Sequence, residues 1–484
     1  MPNPVLIVHG WSDNYESFVP LKTWLTGQGH PAQQVFFGNY ESMEDHVTFD
    51  DLATGLHMRL EEMQEAKTIP PLAPFSLDVI VHSTGGPVVR HWLHYYLNDI
   101  CKGDLARCPI RSLIMLAPAN FGSRLAAQGK SALAKLFRGG VAHGFQTGRL
   151  ILEGLELGSP ALWGMAEADL FSGRSFYPCD PNRGPFVFVL SGTRTYGELK
   201  GLVARGANED GSDGTVRASA ASLNSIKLVA DYRQPDQPQA RASRQANGPF
   251  AFQLVPGKNH SEIVPRDPQD ANHPTFQIIP RCLAVANADQ YAVLRHEFEQ
   301  ANEQYYALER QKSDEERVHT YQQFLVHVRD EMGNDVPDYR MDFHVVDGSI
   351  TQSAWADSPG TLAKLQQYQK FTQFLQDRVI ADVQPHSVNP SFRTWFINLD
   401  RLSELRAELQ KDPRKPYIAM NVDATGPTED LTYDTDKLKY LPVDGQIDDD
   451  QGGTADFFKA NTSTLVEFVL ERVPGREVFD ILTG

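Results

Sequence analysis

The 484-residue chain has 41% hydrophobic and 22% charged residues and a formal charge of -17. Single hydrophobic cores stop growing near roughly 250–300 residues, so two domains are expected, and the composition is that of a folded globular chain rather than a disordered or fibrous one. The acidic balance excludes nucleic acid as a partner, because phosphate binding needs clustered Lys and Arg, and it gives no general attraction to anionic lipid.

From the N-terminus, Met1-Pro2-Asn3-Pro4-Val5 runs straight into an apolar strand, without the basic region, apolar stretch and cleavage site of a secretory signal. No segment nears the roughly 20 apolar residues that span a bilayer. The cytoplasm is the expected compartment, with export by a route that needs no cleaved signal left open. Cys101, Cys108, Cys179 and Cys282 have no metal-type Cys-x-x-Cys spacing and are too few to staple the chain, so free thiols are expected.

Short buried-type runs follow at Val5–Val8, Gln34–Gly38, Leu77–Val81, Ser112–Leu116, Phe186–Leu190 and Phe250–Val255, the texture of parallel strands covered on both faces. Between them Phe18, Leu21 and Leu25, then Leu52, Leu56 and Leu60, recur at helical spacing. This alternation predicts a mostly parallel α/β sheet with crossover helices over residues 1–287. Residues 124–175 break the rhythm with apolar residues at helical spacing among glycines and read as a helical insertion over the strand ends. Residues 231–249 read as a polar surface loop or hairpin.

Residues 288–484 change texture. A charged helix over Gln290–Arg310 precedes alternating runs such as Q-F-L-V-H-V-R-D, F-R-T-W-F-I-N-L-D and T-L-V-E-F-V-L-E-R-V. Period-two alternation broken by Gly, Pro, Asn and Asp predicts an antiparallel, sandwich-like β-rich domain, with helices at Leu362–Arg378 and Leu402–Gln410. Asp444 with Asp448–Asp450 forms an acidic stretch, read as a solvated turn in preference to a Ca²⁺ loop. No cofactor or metal is expected.

The chemistry gathers at Val81-His82-Ser83-Thr84-Gly85-Gly86, a small-residue turn between a buried strand and a helix. Such a turn holds its serine in strained backbone with the hydroxyl exposed. A serine hydroxyl attacks only when a histidine, oriented by a carboxylate, removes its proton. Asp213 in G-S-D-G-T-V and His260 in P-G-K-N-H-S-E-I-V occupy loops after the later strands, with Glu209 and Asp210 as rivals of Asp213. The backbone N–H groups of Trp11, after the first strand, and of Thr84 are the expected donors to an oxyanion. His9 reads as a structural hydrogen-bonding residue, His82 as pointing away into packing, and His46, His57, His91, His94 and His143 as surface or core residues.

With H-G-W at His9–Trp11, H-S-T-G-G at His82–Gly86, A-P-A-N-F-G-S at Ala117–Ser123, D-G-T-V at Asp213–Val216 and N-H-S-E-I-V at Asn259–Val264, residues 5–285 resemble the α/β-hydrolase fold, and within it the lipases, phospholipases and related carboxylic-ester hydrolases. The resemblance implies the chain order Ser83, Asp213, His260 of a catalytic triad. It departs at Val81, where the family commonly has glycine. It also implies that the chain starts at the third strand of a full hydrolase sheet, that the 124–175 insertion sits where lipases keep a lid, and that the substrate is an ester of an acyl lipid. Contact with a lipid surface through the lid or the C-terminal domain is an expectation of the same kind. A thioesterase, amidase or peptidase acting on a soluble substrate, or a binding protein on the hydrolase scaffold, remains an alternative.

Overall fold

Six apolar runs become six strands of one sheet. They are β1 (Val5–Val8), β2 (Val35–Gly38), β3 (Leu77–His82), β4 (Ile110–Leu116), β5 (Phe186–Gly192) and β8 (Ala251–Val255), while the intervening β6 (Ser225–Asp231) and β7 (Gln239–Arg244) pair elsewhere. The order is β2-β1-β3-β4-β5-β8 and every pairing is parallel. All residues of β3 and β5 are buried, which is why these strands read as unbroken apolar runs instead of alternating ones. The computed structural model describes residues 2–11, 13–40, 44–127, 148–197, 208–233, 239–246, 248–348, 359–433, 441–450 and 452–479.

Three helices set the sheet's approach to the site. α1 (Val19–Gly27) buries Leu21 and Leu25. α2 (Phe49–Glu65) is started by a capping box: Thr48 Oγ1 accepts the Asp51 N–H, and the Asp51 carboxylate accepts the Thr48 N–H. α3 (Gly85–Tyr95) begins at two glycines that let it press against the sheet. A Cβ on Gly85 would stand 2.7 Å from the Val8 carbonyl oxygen, and one on Gly86 2.8 Å from Pro118 Cβ.

The chain divides into two compact units, one of Met1–Asn224 with Gln245–His319 and one of Ser225–Arg244 with Thr320–Gly484. The border expected at 287 therefore moves, for a physical reason. The helix Ala288–Glu309 finishes the hydrolase sheet instead of starting the next unit. Its Tyr291 hydroxyl donates to the Val187 carbonyl (2.7 Å) and accepts the Ala251 N–H (2.9 Å). Its Asn302 side chain accepts the Leu254 N–H (2.8 Å) and donates to the Phe252 carbonyl (2.9 Å). The Tyr291 hydroxyl thus bridges β5 and β8, and Asn302 satisfies backbone groups of β8, the edge strand of the sheet, which would otherwise be unpaired.

In the second unit, β9 (Tyr321–Asp330), β10 (Tyr339–Val346), β11 (Ile380–Pro385), β12 (Phe392–Asn398) and β13 (Tyr417–Ala424) join shorter strands in two main sheets. One runs β11, β12, β9, Ser463–Leu470, β6, β7, and the other β10, β13, Leu441–Pro442. Their inner faces share a core that includes Phe324, Val326, Phe343, Ile418 and Met420, with Phe324 and Phe343 stacked 6.1 Å apart. The unit is β-rich, but the larger sheet is mixed where an antiparallel one was expected. Ser463–Leu470 runs parallel to both β9 and β6 and is buried along its whole length, as a central parallel strand is. Residues 231–249 supply β7 of a hairpin with β6.

The helix expected over Leu362–Arg378 is two, Pro359–Gln367 and Gln369–Phe374, followed by a wider turn at Leu375–Val379. In the acidic stretch, Asp444 receives the Arg406 guanidinium (2.6 Å), and Asp449 accepts the Gly453 N–H (2.7 Å) beside Arg244. All four cysteines are free. Among the described residues, no helix is long and apolar enough to cross a membrane, and no group of three or more His, Cys, Asp or Glu side chains is placed to hold a metal.

Candidate active site

Ser83 follows the last residue of β3 at φ 54°, a left-handed conformation that a side-chain-bearing residue adopts at a cost of about 1–3 kcal/mol. Its neighbours hold it there. The Ser83 N–H donates to the Leu116 carbonyl (3.1 Å), and its own carbonyl accepts the N–H groups of Gly86 (3.0 Å) and Ala119 (3.2 Å). Gly10 lies so close that a Cβ on it would meet Ser83 Cβ at 2.7 Å. Val81, fully buried, takes the place of the usual glycine without disturbing the turn.

His260 comes from the loop after β8, and Asp213 from the loop that follows β5. His260 Nε2 lies 2.9 Å from Ser83 Oγ, and His260 Nδ1 lies 2.8 Å from Asp213 Oδ2. A carboxylate only accepts, so Nδ1 carries the proton and Nε2 presents its lone pair to the serine hydroxyl. The other Asp213 oxygen accepts the N–H groups of Thr215 (2.9 Å) and Val216 (2.7 Å), which fixes the carboxylate's orientation. The His260 N–H donates to the Asp213 carbonyl (2.9 Å), so the two loops are tied through backbone as well as side chains. Histidine and aspartate are fully buried, and Ser83 retains 9% exposure, enough to meet a substrate. The arrangement can pass a proton from an alcohol to a carboxylate-oriented imidazole.

The rivals of Asp213 bind other partners. Glu209 receives Arg217 through Nε and Nη2 (both 2.8 Å) and Arg124 through Nη1 (2.8 Å), while Asp210 bonds His319 Nδ1 (2.7 Å). The Ala117–Ser123 motif braces both sides of the site. Asn120 donates to the Ala221 carbonyl (2.8 Å), and Ser123 Oγ donates to the Thr215 carbonyl (2.5 Å).

Of the two expected oxyanion donors, the Trp11 N–H donates to Thr84 Oγ1 (3.2 Å), and Thr84 stands at the N-terminus of α3. His9 is structural, as expected. Its Nδ1 donates to the Gly10 carbonyl (2.7 Å), its Nε2 accepts the Tyr40 N–H (3.2 Å), and its ring stacks on Tyr40 at 4.5 Å.

His82 departs from expectation. Instead of turning away, its Nε2 meets the His260 carbonyl at 3.0 Å, and the two rings lie 4.8 Å apart. A carbonyl oxygen only accepts, so Nε2 bears the proton and Nδ1 the lone pair. Burial, and then the neighbouring His260, hold the His82 imidazole down to about 3. The left-handed turn at Ser83 brings the side chain of its neighbour His82 to the same loop as His260.

A polar cleft of about 80 Å³ adjoins Ser83, lined by Gly10, Asp13, Ser17, His82 and Arg266 among others. A larger apolar cleft of about 420 Å³ lies between β2 and α2, against Phe36, Leu52, Leu56 and Met63, and the three residues of the relay do not line it. The first cleft is where chemistry at Ser83 would occur, because it alone of the two touches the serine. Of the 124–175 insertion, short helices at Arg124–Ala127, Arg149–Gly154 and Pro160–Asp169 are formed, and residues 128–147 lie outside the described residues.

No protein-family model and no curated protein matches the chain. Among solved structures, phospholipase PlaB from Legionella pneumophila is similar over 100% of this chain and 96% of its own, at 27% identity and a TM-score of 0.80. The same phospholipase in complex with thio-NAD aligns over 99% of this chain and 96% of its own, at 27% identity and a TM-score of 0.78. The likeness includes the β-rich second unit as well as the hydrolase unit.

Proposed function

For this chain, a lipase- and phospholipase-like α/β-hydrolase, we propose hydrolysis of carboxylic esters of acyl lipids through an acyl-enzyme on Ser83. The observation that carries the reading is the unbroken relay of 2.9 Å and 2.8 Å from Ser83 through His260 to Asp213. Its likeness along the whole chain to a phospholipase supports an acyl lipid as the substrate.

His260 takes the Ser83 proton as the oxygen attacks the ester carbonyl, and Asp213 stabilises the imidazolium that forms. The developing oxyanion accepts from the Thr84 N–H and from the Trp11 N–H, displacing Thr84 Oγ1 from the latter. His260 then gives its proton to the leaving alcohol, and water cleaves the acyl-enzyme by the reverse roles. The 124–175 insertion acts as a lid over the acyl chain at a lipid surface in this reading.

Replacing Ser83 by alanine is expected to abolish fluorophosphonate labelling and to lower ester turnover by several orders of magnitude, with His260→Ala close behind. Hydrolysis of phospholipid and triacylglycerol dispersions, compared with thioesters and aminoacyl amides, tests the substrate class. Labelling that persists in Ser83→Ala, or preference for amides, overturns the reading.

A further inference from the structure

Arg266 has no carboxylate beside it, although the chain offers 62 acidic side chains to 45 basic ones. It is exposed and makes no ion pair among the described residues; its Nη1 reaches the Ser17 carbonyl at 3.4 Å. Ser17 links it to the opposite charge. The Ser17 hydroxyl donates to Asp13 Oδ1 (2.5 Å), which also accepts the Asn14 N–H (2.9 Å), while Asp13 Oδ2 has no hydrogen-bond partner among the described residues. A guanidinium and a carboxylate are thus held by one serine without pairing with each other.

Both charges border the polar cleft at the nucleophile, which Ser83 and Ser261 also line. Their position decides which part of an ester they meet. The leaving alcohol lies against His260, because it takes its proton from that ring. Ser261 and Arg266 follow His260 in the same loop. An acyl chain gains nothing from Asp13, Ser17, Ser261 and Arg266, whereas an alcohol that carries charge does. The guanidinium fork matches the oxygens of a phosphate, and the open side of the Asp13 carboxylate suits an ammonium. A head group with phosphate alone would meet Arg266 but also the repulsion of Asp13, so the pair discriminates among phosphates as well as in their favour.

We propose that Arg266 and Asp13 read the head group of a zwitterionic phospholipid, Arg266 holding the phosphate and Asp13 the ammonium, so that the alcohol released at His260 is the lysophospholipid. The inference rests on the reading above that Ser83 cleaves esters of acyl lipids.

Three lipids with the same acyl chains, in mixed micelles of one nonionic detergent, separate the two charges. Phosphatidylcholine has phosphate and ammonium, phosphatidylglycerol has phosphate alone, and diacylglycerol has neither. The parent is expected to show kcat/KM falling in that order. Arg266→Gln is expected to lower the ratio of phosphatidylcholine to diacylglycerol about tenfold, as the loss of one charge-assisted contact would, and to do so through KM. Arg266→Lys is expected to recover part of that ratio, a point charge replacing the fork. Asp13→Asn keeps an acceptor for Asn14 and Ser17 and is expected to lower the ratio of phosphatidylcholine to phosphatidylglycerol severalfold. An unmoved ratio in Arg266→Gln overturns the proposal, as does an unmoved ratio in Asp13→Asn or a parent that favours phosphatidylglycerol over phosphatidylcholine. In each of these cases lipid hydrolysis that depends on Ser83 leaves the broader reading standing. A parent that a fluorophosphonate labels at Ser83 but that cleaves none of the three lipids sinks the acyl-lipid reading, and this proposal with it.

Discussion

At the scale of single residues, the site is built by the absence of side chains as much as by their presence. Gly10, Gly85 and Gly86 admit the strained serine and the helix behind it at separations no Cβ would tolerate. His82 is the opposite case, a large titratable group enclosed in the same turn. Its acidity supplies a prediction with a definite sign. Held at about 3 in the folded chain against an ordinary value near 6.5, the ring binds fewer protons folded than unfolded between those limits. The stability present above pH 6.5 is then lost progressively as pH falls toward 3. In His82→Asn, which cannot titrate, the decline of Tm between pH 6.5 and 4 is expected to be shallower than in the parent. Parallel declines would remove His82 from the acid response.

Among the elements, the insertion helix Pro160–Asp169 is fastened to α3 by a buried pair. Arg90 donates to both Asp169 oxygens through Nε and Nη2 (2.8 Å each) and to the Asn120 carbonyl through Nη1 (3.0 Å), and the Tyr177 hydroxyl donates to Asp169 (2.6 Å). Both charged side chains are sealed from solvent. Removing one partner leaves a buried charge uncompensated, at a cost of about 3–5 kcal/mol, whereas replacing both by apolar residues costs much less. Asp169→Asn and Arg90→Met are therefore each expected to lower the denaturant midpoint strongly, and Arg90→Met with Asp169→Leu to lower it by less than their sum. Additive losses would mean the pair does not act as a unit. This stretch of the insertion is thus an anchored element. The apolar spacing of A-L-W-G-M-A-E-A-D announces the helix, but a charge pair formed across 79 positions of sequence leaves no local pattern. The hydrolase strands were legible for the converse reason, being apolar on both faces, and the Ser83 and His260 ends of the hydrogen-bonded relay because each comes shortly after a strand. β6 was not legible: Ser225–Asp231 carries Lys227 and Asp231 among its apolar residues and is only partly buried, so it lacks the continuous apolar run of the hydrolase strands.

Across the whole molecule, the two units are interleaved in sequence. β6 and β7 leave the hydrolase unit's stretch of chain and complete the larger sheet of the second unit, where Ser225–Asp231 pairs in parallel register with Ser463–Val469. The expected border at 287 missed this because hydropathy marks where chain texture changes, not which strand a hairpin joins. It also missed the helix Ala288–Glu309, whose Tyr291 and Asn302 bind backbone through polar atoms that carry no hydropathy signal. A fragment of residues 320–484 keeps Ser463–Leu470, largely apolar and wholly buried in the chain, but loses its partner on one side. An exposed, long apolar edge strand is an aggregation template. The fragment is expected to associate during size-exclusion chromatography and to unfold without a sharp transition. Joining residues 225–244 to its start through a flexible linker restores the missing pair of strands, and that version is expected to elute as a monomer with cooperative unfolding. If residues 320–484 alone behave as a cooperative monomer, the hairpin is dispensable and the second unit folds from contiguous sequence after all.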